Sequence, residues 1–203
     1  MPDQLADQLA RLYAEGQAYD AAEPDRRRRR RNLEPPSAAL PAQLVRVAAA
    51  RAIVEIGTSN GYSTLWLAAA AADTAGRVTT VDVEPAESAR RNLDEAGLGE
   101  LVEFVVADGG GFLASTAADT VDVLFLDAER SAYLDWWPDI QRVLRPGGLL
   151  VIDNVLAPDP SELTDLLATI TLAEHWRGET VPVGKGLFLG WRGRSVGPAV
   201  GVR

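Results

Sequence analysis

Residues 52–68, AIVEIGTSNGYSTLWLA, decide the fold class of this chain. The apolar run AIVEI predicts a short buried strand, GTSNG predicts a tight turn, and the residues after it predict a helix. The alternation then repeats: the further predicted strands are RVTTVDV, LVEFVVAD, VDVLFLD and LLVIDN, and the further predicted helices are AESARRNLDEAG, YLDWWPDIQRVLRPGG and PSELTDLLATITLAEHW. This alternation is typical of a doubly wound α/β domain with a mostly parallel sheet.

The two ends of the chain differ from this central pattern. The segment 179–191, ETVPVGKGLFLGW, predicts two short strands around a Gly-Lys-Gly turn, so we expect a terminal antiparallel hairpin and seven strands in all. Leucines at helical spacing predict a first helix near the N-terminus, and a second helix is expected to start near Pro41. We therefore predict a helical extension at 1–36, the α/β domain at 37–192 and a flexible tail at 193–203.

Composition narrows the classes of protein that fit. At 203 residues the chain is expected to form one ordinary domain with an extension, and the absence of cysteine excludes disulfides and zinc–thiolate sites. The formal net charge of −9 includes the six arginines of the run Arg26 to Arg31, so the rest of the chain is still more acidic. A protein surface this acidic repels nucleic acid and anionic membranes. Because the N-terminus lacks a signal pattern, we expect a cytoplasmic protein.

Polar residues follow every strand of the predicted parallel sheet. In open α/β sheets, ligands bind in the crevice beyond the carboxyl ends of the strands. A single Asp or Gly there is explained by loop and cap preferences, but five strand ends in succession predict a site. The candidate residues, in strand order, are Glu55, Gly57, Thr58, Gly61 and Ser63, then Asp82, then Asp108 and Gly109, then Asp127, then Asp153 and Asn154.

The first turn favours S-adenosylmethionine over a nicotinamide cofactor. GTSNG lacks the G-x-G-x-x-G spacing that seats a pyrophosphate on a helix N-terminus. Glu55 in this loop suits a cationic ligand, whereas Ser63 and the amides at the following helix start suit a carboxylate. S-adenosylmethionine carries both kinds of charge. Asp82 is placed to accept hydrogen bonds from its ribose hydroxyls, and Asp108 with Gly109 is placed to meet the adenine edge.

The pair Asp153-Asn154 follows the apolar strand LLVI directly. A bare carboxylate at the end of a buried strand costs several kcal/mol, about the penalty of an unpaired buried charge. This pair must therefore be hydrated, paired or bound to a cation.

Taken in order, several segments resemble the cation-dependent O-methyltransferases, the family that includes catechol and caffeoyl-CoA O-methyltransferases and many bacterial relatives. They are VEIGTSNGYSTLWLA, VTTVDVEP, LFLDAERSAYLDWW, GGLLVIDN and VPVGKGLFLGW. The resemblance covers about residues 33 to 192 and implies a Rossmann-like, class I S-adenosylmethionine-dependent methyltransferase fold.

The resemblance also implies a metal site and a reaction. In the family, residues matching Asp127, Asp153 and Asn154 hold a divalent cation, and hard oxygen ligands suit Mg²⁺, with Mn²⁺ and Ca²⁺ as alternatives. The implied activity is methyl transfer to a small molecule with vicinal oxygens. There the metal lowers the pKa of the attacked hydroxyl.

Two residues depart from the family pattern. Many relatives carry a lysine, proposed as general base, where this chain has Arg130, and a guanidinium cannot act as a base in a protein. Arg130 can instead stabilise a phenolate, hold an anionic substrate, or be a solvated arginine at a helix start. Lys185, the only lysine, stands where relatives often have an acid. It can contact an acidic substrate, act as base, or be solvated.

Two other functions remain open from the sequence. The run Arg26 to Arg31 suggests a nucleic-acid methyltransferase, but LDAERSAY lacks the polar-Pro-Pro-aromatic turn of amino-methylating enzymes and the run has no interleaved aromatics. We interpret it as a solvated helix face that pairs with nearby acids or with a second subunit. Relatives imply an N-terminal lid and a homodimer. The second alternative is a cofactor-binding protein without catalysis, suggested by Arg130.

Overall fold

The computed structural model describes residues 3–25 and 28–194. The helices are α1 (Asp3–Ala22), α2 (Pro35–Val47), α3 (Tyr62–Thr74), α4 (Glu87–Glu95), α5 (Gly109–Ser115), α6 (Tyr133–Val143) and α7 (Thr164–Leu172). The strands are β1 (Ala52–Ile56), β2 (Arg77–Asp82), β3 (Val102–Val106), β4 (Val121–Leu126), β5 (Leu144–Ile152), β6 (Trp176–Val181) and β7 (Leu187–Arg192). Among these residues no helix has the length and apolar character needed to cross a membrane.

All seven strands form one sheet in the order β3-β2-β1-β4-β5-β7-β6. Strands β1 to β5 pair in parallel, and β7 runs antiparallel to both β5 and β6. The predicted fold class, a mostly parallel seven-stranded sheet with an antiparallel terminal hairpin, is confirmed. Ile56 pairs with Leu126, and Leu126 pairs with Ile152. Strands β1, β4 and β5 therefore end in register, which brings the residues that follow them to one edge.

Alternating side chains of the central strands build two cores. Ile53, Phe125 and Val151 face the layer that contains α1, α2 and α3, whereas Ile56, Leu126 and Ile152 face the layer that contains α6 and α7. Because both faces of a parallel sheet are covered, its strands are apolar on both sides. A polar residue inside such a strand is therefore exceptional.

The secondary structure differs from the sequence prediction at three places. Helix α2 begins at Pro35 rather than near Pro41, because Pro35 and Pro36 occupy first-turn positions where no backbone N–H is needed. Helix α5 was not predicted, since glycines disfavour helix; the Asp108 carboxylate begins it by accepting from the Gly111 N–H at 2.8 Å. The segment 146–148, Pro-Gly-Gly, closes the predicted helix YLDWWPDIQRVLRPGG but lies within β5, beside a register shift between Val121 and Val123.

The N-terminal helix packs against the α/β domain. Leu5, Leu9 and Leu12 are buried in the core that faces α2 and α3, and the Gln8 amide donates to the Asn92 carbonyl at 2.8 Å. The predicted boundaries at residues 36 and 192 stay predictions. Most of the predicted tail, residues 195–203, lies outside the described residues.

The described part of the arginine run, residues 28–31, is a turn and loop rather than the helix face we expected. Arg28 lies 3.7 Å from Glu23 as an ion pair, and the Arg30 guanidinium lies 4.6 Å from the centre of the Tyr19 ring. Asp20 accepts from the backbone N–H groups of Arg30 at 2.7 Å and Arg31 at 2.9 Å. The described charges thus contact their own chain; Arg26 and Arg27 lie outside the described residues.

Candidate cofactor and metal site

The turn after β1 approaches the end of β4 so closely that only glycine fits. Gly57 has φ 109 and donates its N–H to the Val81 carbonyl at 2.8 Å. A Cβ at this position would collide with the backbone carbonyl oxygen of Asp127. Gly61, at φ 80, begins α3, and a Cβ there would lie 2.7 Å from the Ala89 side chain. The two glycines therefore set the shape of the loop and its distance to β4 and α4.

Asp82 supports this loop from the end of β2. Its Oδ2 accepts from the N–H groups of Thr58 at 2.9 Å and Ser59 at 3.0 Å, and its Oδ1 accepts from Glu84 at 3.2 Å. A carboxylate offers about four acceptor positions, so this half-buried group keeps capacity for one more donor. Its contacts in the structure are backbone support for the loop, and its predicted role toward the ribose hydroxyls stays a prediction.

Glu55 lies within β1 and not in the loop, which corrects the expectation that it faces a cationic ligand. Its side chain is fully buried, and it accepts from the hydroxyls of Ser63 and Thr64, both at 2.5 Å, and of Thr80 at 2.6 Å. Burial raises the pKa of Glu55 to about 7, against the opposing effect of these three donors. Ser63 is accordingly directed at Glu55 and not at a carboxylate ligand.

The side chain of Thr58 also points inward, sharing a 2.7 Å hydrogen bond with Thr80. Thr64 and Thr80 were missed by the sequence analysis. A signal existed, since Thr80 is a polar residue in an apolar strand and pairs in register with Glu55. The buried cluster of one acid and four hydroxyls anchors β1, β2 and the start of α3 behind the glycine loop.

An aromatic ring from α6 packs against the residues that follow the third strand. Asp108 caps α5, and Gly109 is packed so tightly that a Cβ would lie 2.6 Å from Ile56 and 2.8 Å from the ring of Trp136. A Cβ on Gly110 would also contact the Trp136 indole. Trp136 thus lies flat against the glycines at the start of α5, beside the strand end predicted to meet adenine.

The fourth and fifth strand ends bring Asp127, Asp153 and Asn154 together, as predicted. The Asn154 amide nitrogen donates to Asp127 at 3.1 Å and to Asp153 at 2.7 Å. Asp153 is only 4% exposed, and its Oδ1 accepts no hydrogen bond from any described residue. Burial, followed by the charge of the neighbouring acids, raises the pKa of both carboxyls. Burial and mutual repulsion therefore outweigh the positive charges nearby, and each carboxyl favours its protonated form more than an exposed acid does.

These three side chains fit a hard divalent cation. Within the described residues no group of three His, Cys, Asp or Glu side chains could hold a metal. The donors that meet at this edge are two carboxylates and one amide. The unpartnered Asp153 oxygen and the mutual repulsion of the acids are features that a cation would relieve. The amide of Asn154 presents nitrogen to the carboxylates, contrary to the predicted oxygen; a half-turn of the amide exchanges the two atoms.

Tyr133, another residue missed from the sequence, fixes the backbone beside Asp127. Its fully buried hydroxyl accepts from the Ala128 N–H at 2.5 Å. Burial raises the pKa of Tyr133 well above its usual value, so this phenol stays protonated. The signal was an aromatic residue at the start of the helix that follows the fourth strand.

Arg130 is held by the protein, which corrects the alternative of a solvated arginine; its predicted roles toward a phenolate or an anionic substrate stay predictions. Only 12% of its side chain is exposed. Its guanidinium donates to the Asn154 carbonyl at 2.7 Å and forms a 2.8 Å ion pair with Glu162. Arg130 therefore connects loops of the protein to each other.

Lys185 lies in the turn between β6 and β7, close to the acidic pair. Its Nζ is 3.8 Å from Glu34, its side chain is 41% exposed, and its charge lowers the pKa of both Asp127 and Asp153. The turn is tied to the loop after Asn154, because the Leu156 N–H donates to the Lys185 carbonyl at 2.8 Å. The predicted catalytic role of Lys185 stays a prediction.

The N-terminal segment reaches the glycine loop. The Ser59 hydroxyl donates to the Arg30 carbonyl at 3.2 Å, and the charge of Arg31 lowers the pKa of Asp127. The segment 28–34 is thus placed beside both the loop and the acidic pair, and the predicted lid role of the N-terminal segment stays a prediction.

Comparison with known proteins identifies the family. The family model described as "Methyltransferase domain" matches residues 54–155, half of the chain. A catechol O-methyltransferase of Mycobacterium tuberculosis is 41% identical over 112 residues, 53% of this chain and 49% of that protein. A Mycobacterium marinum protein named "Putative O-methyltransferase" is 30% identical over 170 residues, 77% of this chain and 75% of that protein.

Solved structures agree in fold. The O-methyltransferase TomG of Streptomyces achromogenes, involved in tomaymycin synthesis and solved in complex with SAM, has a TM-score of 0.75 and 27% identity, covering 92% of this chain and 90% of that chain. The chain spans about half the length of the catechol O-methyltransferases it matches. With the strand-end motifs in place, these matches establish that the chain belongs to the S-adenosylmethionine-dependent O-methyltransferases, in the bacterial group related to catechol and caffeoyl-CoA O-methyltransferases.

Proposed function

We propose that this protein is an S-adenosylmethionine-dependent, divalent-metal-assisted O-methyltransferase that acts on a small molecule with vicinal oxygens. The observation that carries the proposal is the group of Asp127, Asp153 and Asn154 beside the glycine loop, with a buried Asp153 oxygen that no described residue satisfies. Catechol O-methyltransferases among the relatives support the substrate class.

The cofactor side of the site is built from the first three strand ends. S-adenosylmethionine supplies an electrophilic methyl group when bound. Asp82 keeps an acceptor position for a ribose hydroxyl, and the Trp136 ring beside Gly109 offers an apolar surface for a base. Glu55 and Ser63 act indirectly in this proposal, because their hydrogen bond fixes β1 to the start of α3 behind the loop.

The acceptor side is built from the fourth and fifth strand ends. Mg²⁺, Mn²⁺ or Ca²⁺ would be held by Asp127, Asp153 and Asn154 and would supply Lewis-acid polarisation of the acceptor hydroxyl. Tyr133 steadies Asp127 through the Ala128 backbone. The acceptor proton does not go to Arg130, because a guanidinium does not act as a base in a protein and this one is engaged by the Asn154 carbonyl. Lys185 acts on both acids as a cation, so in that form it is the candidate to hold an anionic group of the acceptor; only its neutral amine can receive the acceptor proton.

The contacts of the arginine run favour a small-molecule acceptor over nucleic acid. Arg28 pairs with Glu23, and Arg30 stacks on Tyr19. Arginines that are already engaged with their own chain are poorer phosphate partners than a free basic patch.

Methyl transfer measured with labelled S-adenosylmethionine and a catechol panel tests the proposal. We expect turnover that excess EDTA abolishes and Mg²⁺ restores, and we expect Asp153→Ala to lose turnover while still binding S-adenosylhomocysteine by calorimetry. Asp165→Ala is the matched control, since Asp165 is an exposed acid on α7. Full turnover in excess EDTA would contradict metal assistance. Binding of the cofactor with no methyl transfer to any catechol, whichever metal is added, would favour the non-catalytic alternative.

A further inference from the structure

The Arg130 guanidinium occupies a small site made of backbone carbonyls and one acid. Its Nη1 donates to the carbonyl of Asn154 at 2.7 Å and, at longer range, to those of Ala157 at 3.4 Å and Asp159 at 3.5 Å. Its Nη2 lies 2.8 Å from the carboxylate of Glu162. With 12% of the side chain exposed, this charge is held almost entirely by the protein.

The position of Arg130 in the chain makes these contacts relevant to the carboxylate site. Arg130 comes three residues after Asp127, on the loop that follows β4, and its partners lie on the loop that follows β5. One side chain therefore ties the loop carrying Asp127 to the loop carrying Asp153 and Asn154. The strand register aligns the ends of β4 and β5, but it does not fix the backbone beyond them.

The backbone at Asn154 is held by contacts with two other loops. Its φ of 62 is in the left-handed region, which asparagine adopts more readily than most residues with a side chain. The peptide that follows it is held at both ends: Arg130 donates to the Asn154 carbonyl, and the Val155 N–H donates to the Gly186 carbonyl at 3.1 Å. Loss of the Arg130 bond would leave this peptide held by its N–H alone and would loosen the backbone that carries the Asn154 side chain.

We propose that Arg130 is a positioning residue that fixes Asn154, and hence the third ligand of the metal site, by clamping the loop after β5 to the loop after β4. This inference rests on the proposed function. It also gives a reason for arginine at this position. A lysine has one point charge and no fork, so it cannot reproduce the carbonyl contacts and the Glu162 pair together.

The chain offers a matched control in Arg142. That residue donates to the carbonyls of Thr116 at 2.5 Å, Leu113 at 2.8 Å and Ala114 at 3.1 Å, and pairs with Asp139 at 2.8 Å. The pattern is the same as for Arg130, but it lies where the chain enters β4, at the opposite end of the strand from Asp127. A purely structural role would make Arg130→Lys and Arg142→Lys behave alike.

Mn²⁺ binding followed by electron paramagnetic resonance tests the inference without any turnover. We expect Arg130→Lys to weaken Mn²⁺ binding by about tenfold or more, the usual effect of removing a group that orients a ligand. Arg142→Lys should lower the melting temperature without changing Mn²⁺ affinity. Glu162→Gln removes only the ion pair, so it should weaken Mn²⁺ binding less than Arg130→Lys does. If Arg130→Lys fails to fold, Glu162→Gln tests the positioning role in its place.

The outcomes separate this inference from the proposed function. Mn²⁺ affinity within about twofold of wild type in both Arg130→Lys and Glu162→Gln, or equal losses in Arg130→Lys and Arg142→Lys, would overturn the positioning role alone. A wild-type protein that binds Mn²⁺ no better than Asp153→Ala would overturn metal assistance and the positioning role together.

Discussion

The buried Glu55 should make the stability of this protein depend on pH near neutrality. Burial raises its pKa from 4.5 to about 7 in the folded protein, and the difference between the two values corresponds to about 3 kcal/mol. Because the folded pKa is the higher one, the folded state binds this proton more tightly than the unfolded chain. The contribution is therefore complete below about pH 4.5 and is lost as the pH rises through about 7.

The substitution Glu55→Gln tests this reasoning, since glutamine keeps the shape and does not titrate. Urea unfolding of both proteins between pH 5 and 8, with EDTA and no cofactor, gives the free energies of unfolding. Subtracting the two curves removes the contributions that both proteins share; the part of the Asp127 pKa shift that comes from the Glu55 charge stays in the difference. We expect the stability of the variant relative to wild type to rise by about 2–3 kcal/mol across this range.

A control and a refuting result complete the test. Glu103→Gln, at an exposed position on β3, should follow the wild-type pH dependence. If the Glu55→Gln and wild-type curves run parallel from pH 5 to 8, then burial does not raise the pKa of Glu55 as this reasoning requires.

Three further predictions concern the cofactor loop and the arginine run. Asp82→Ala should weaken S-adenosylhomocysteine binding by about 1–3 kcal/mol, measured by calorimetry, and unchanged affinity would remove Asp82 from the cofactor site. Gly57→Ala should lower the free energy of unfolding by about 3 kcal/mol or more, because its Cβ collides with the Asp127 carbonyl at a φ of 109; a melting temperature equal to wild type would refute that packing. The protein should form no salt-sensitive complex with DNA or RNA near physiological ionic strength, so a micromolar complex in a gel-shift assay would revive the nucleic-acid alternative.

The sequence was sufficient to predict which residues meet at one edge of the sheet but not the contacts that they make. Apolar runs fix the central parallel strands, and parallel strands must place Gly57, Asp127 and Asp153 at one edge. The partners of Glu55 were not accessible, because Thr80 reaches it only through the pairing of β1 with β2. An acid beside a glycine loop has the same local sequence whether it faces a ligand or a core.

Arg130 illustrates the same limit at longer range. Its exclusion as a base followed from guanidinium chemistry alone. Its contacts with Asn154 and Glu162 depend on how the loops after β4 and β5 approach each other, which no local pattern encodes. Helix α5 escaped prediction for a different reason, since its glycines give it neither propensity nor apolar periodicity.

Anomalous diffraction from crystals grown with S-adenosylhomocysteine and saturating Mn²⁺ tests the metal-assisted mechanism most directly. We expect an anomalous peak between the carboxylates of Asp127 and Asp153, with the Asn154 amide turned so that its oxygen faces the ion. Density without such a peak, with the Asn154 nitrogen still donating to both carboxylates, would contradict a metal site here.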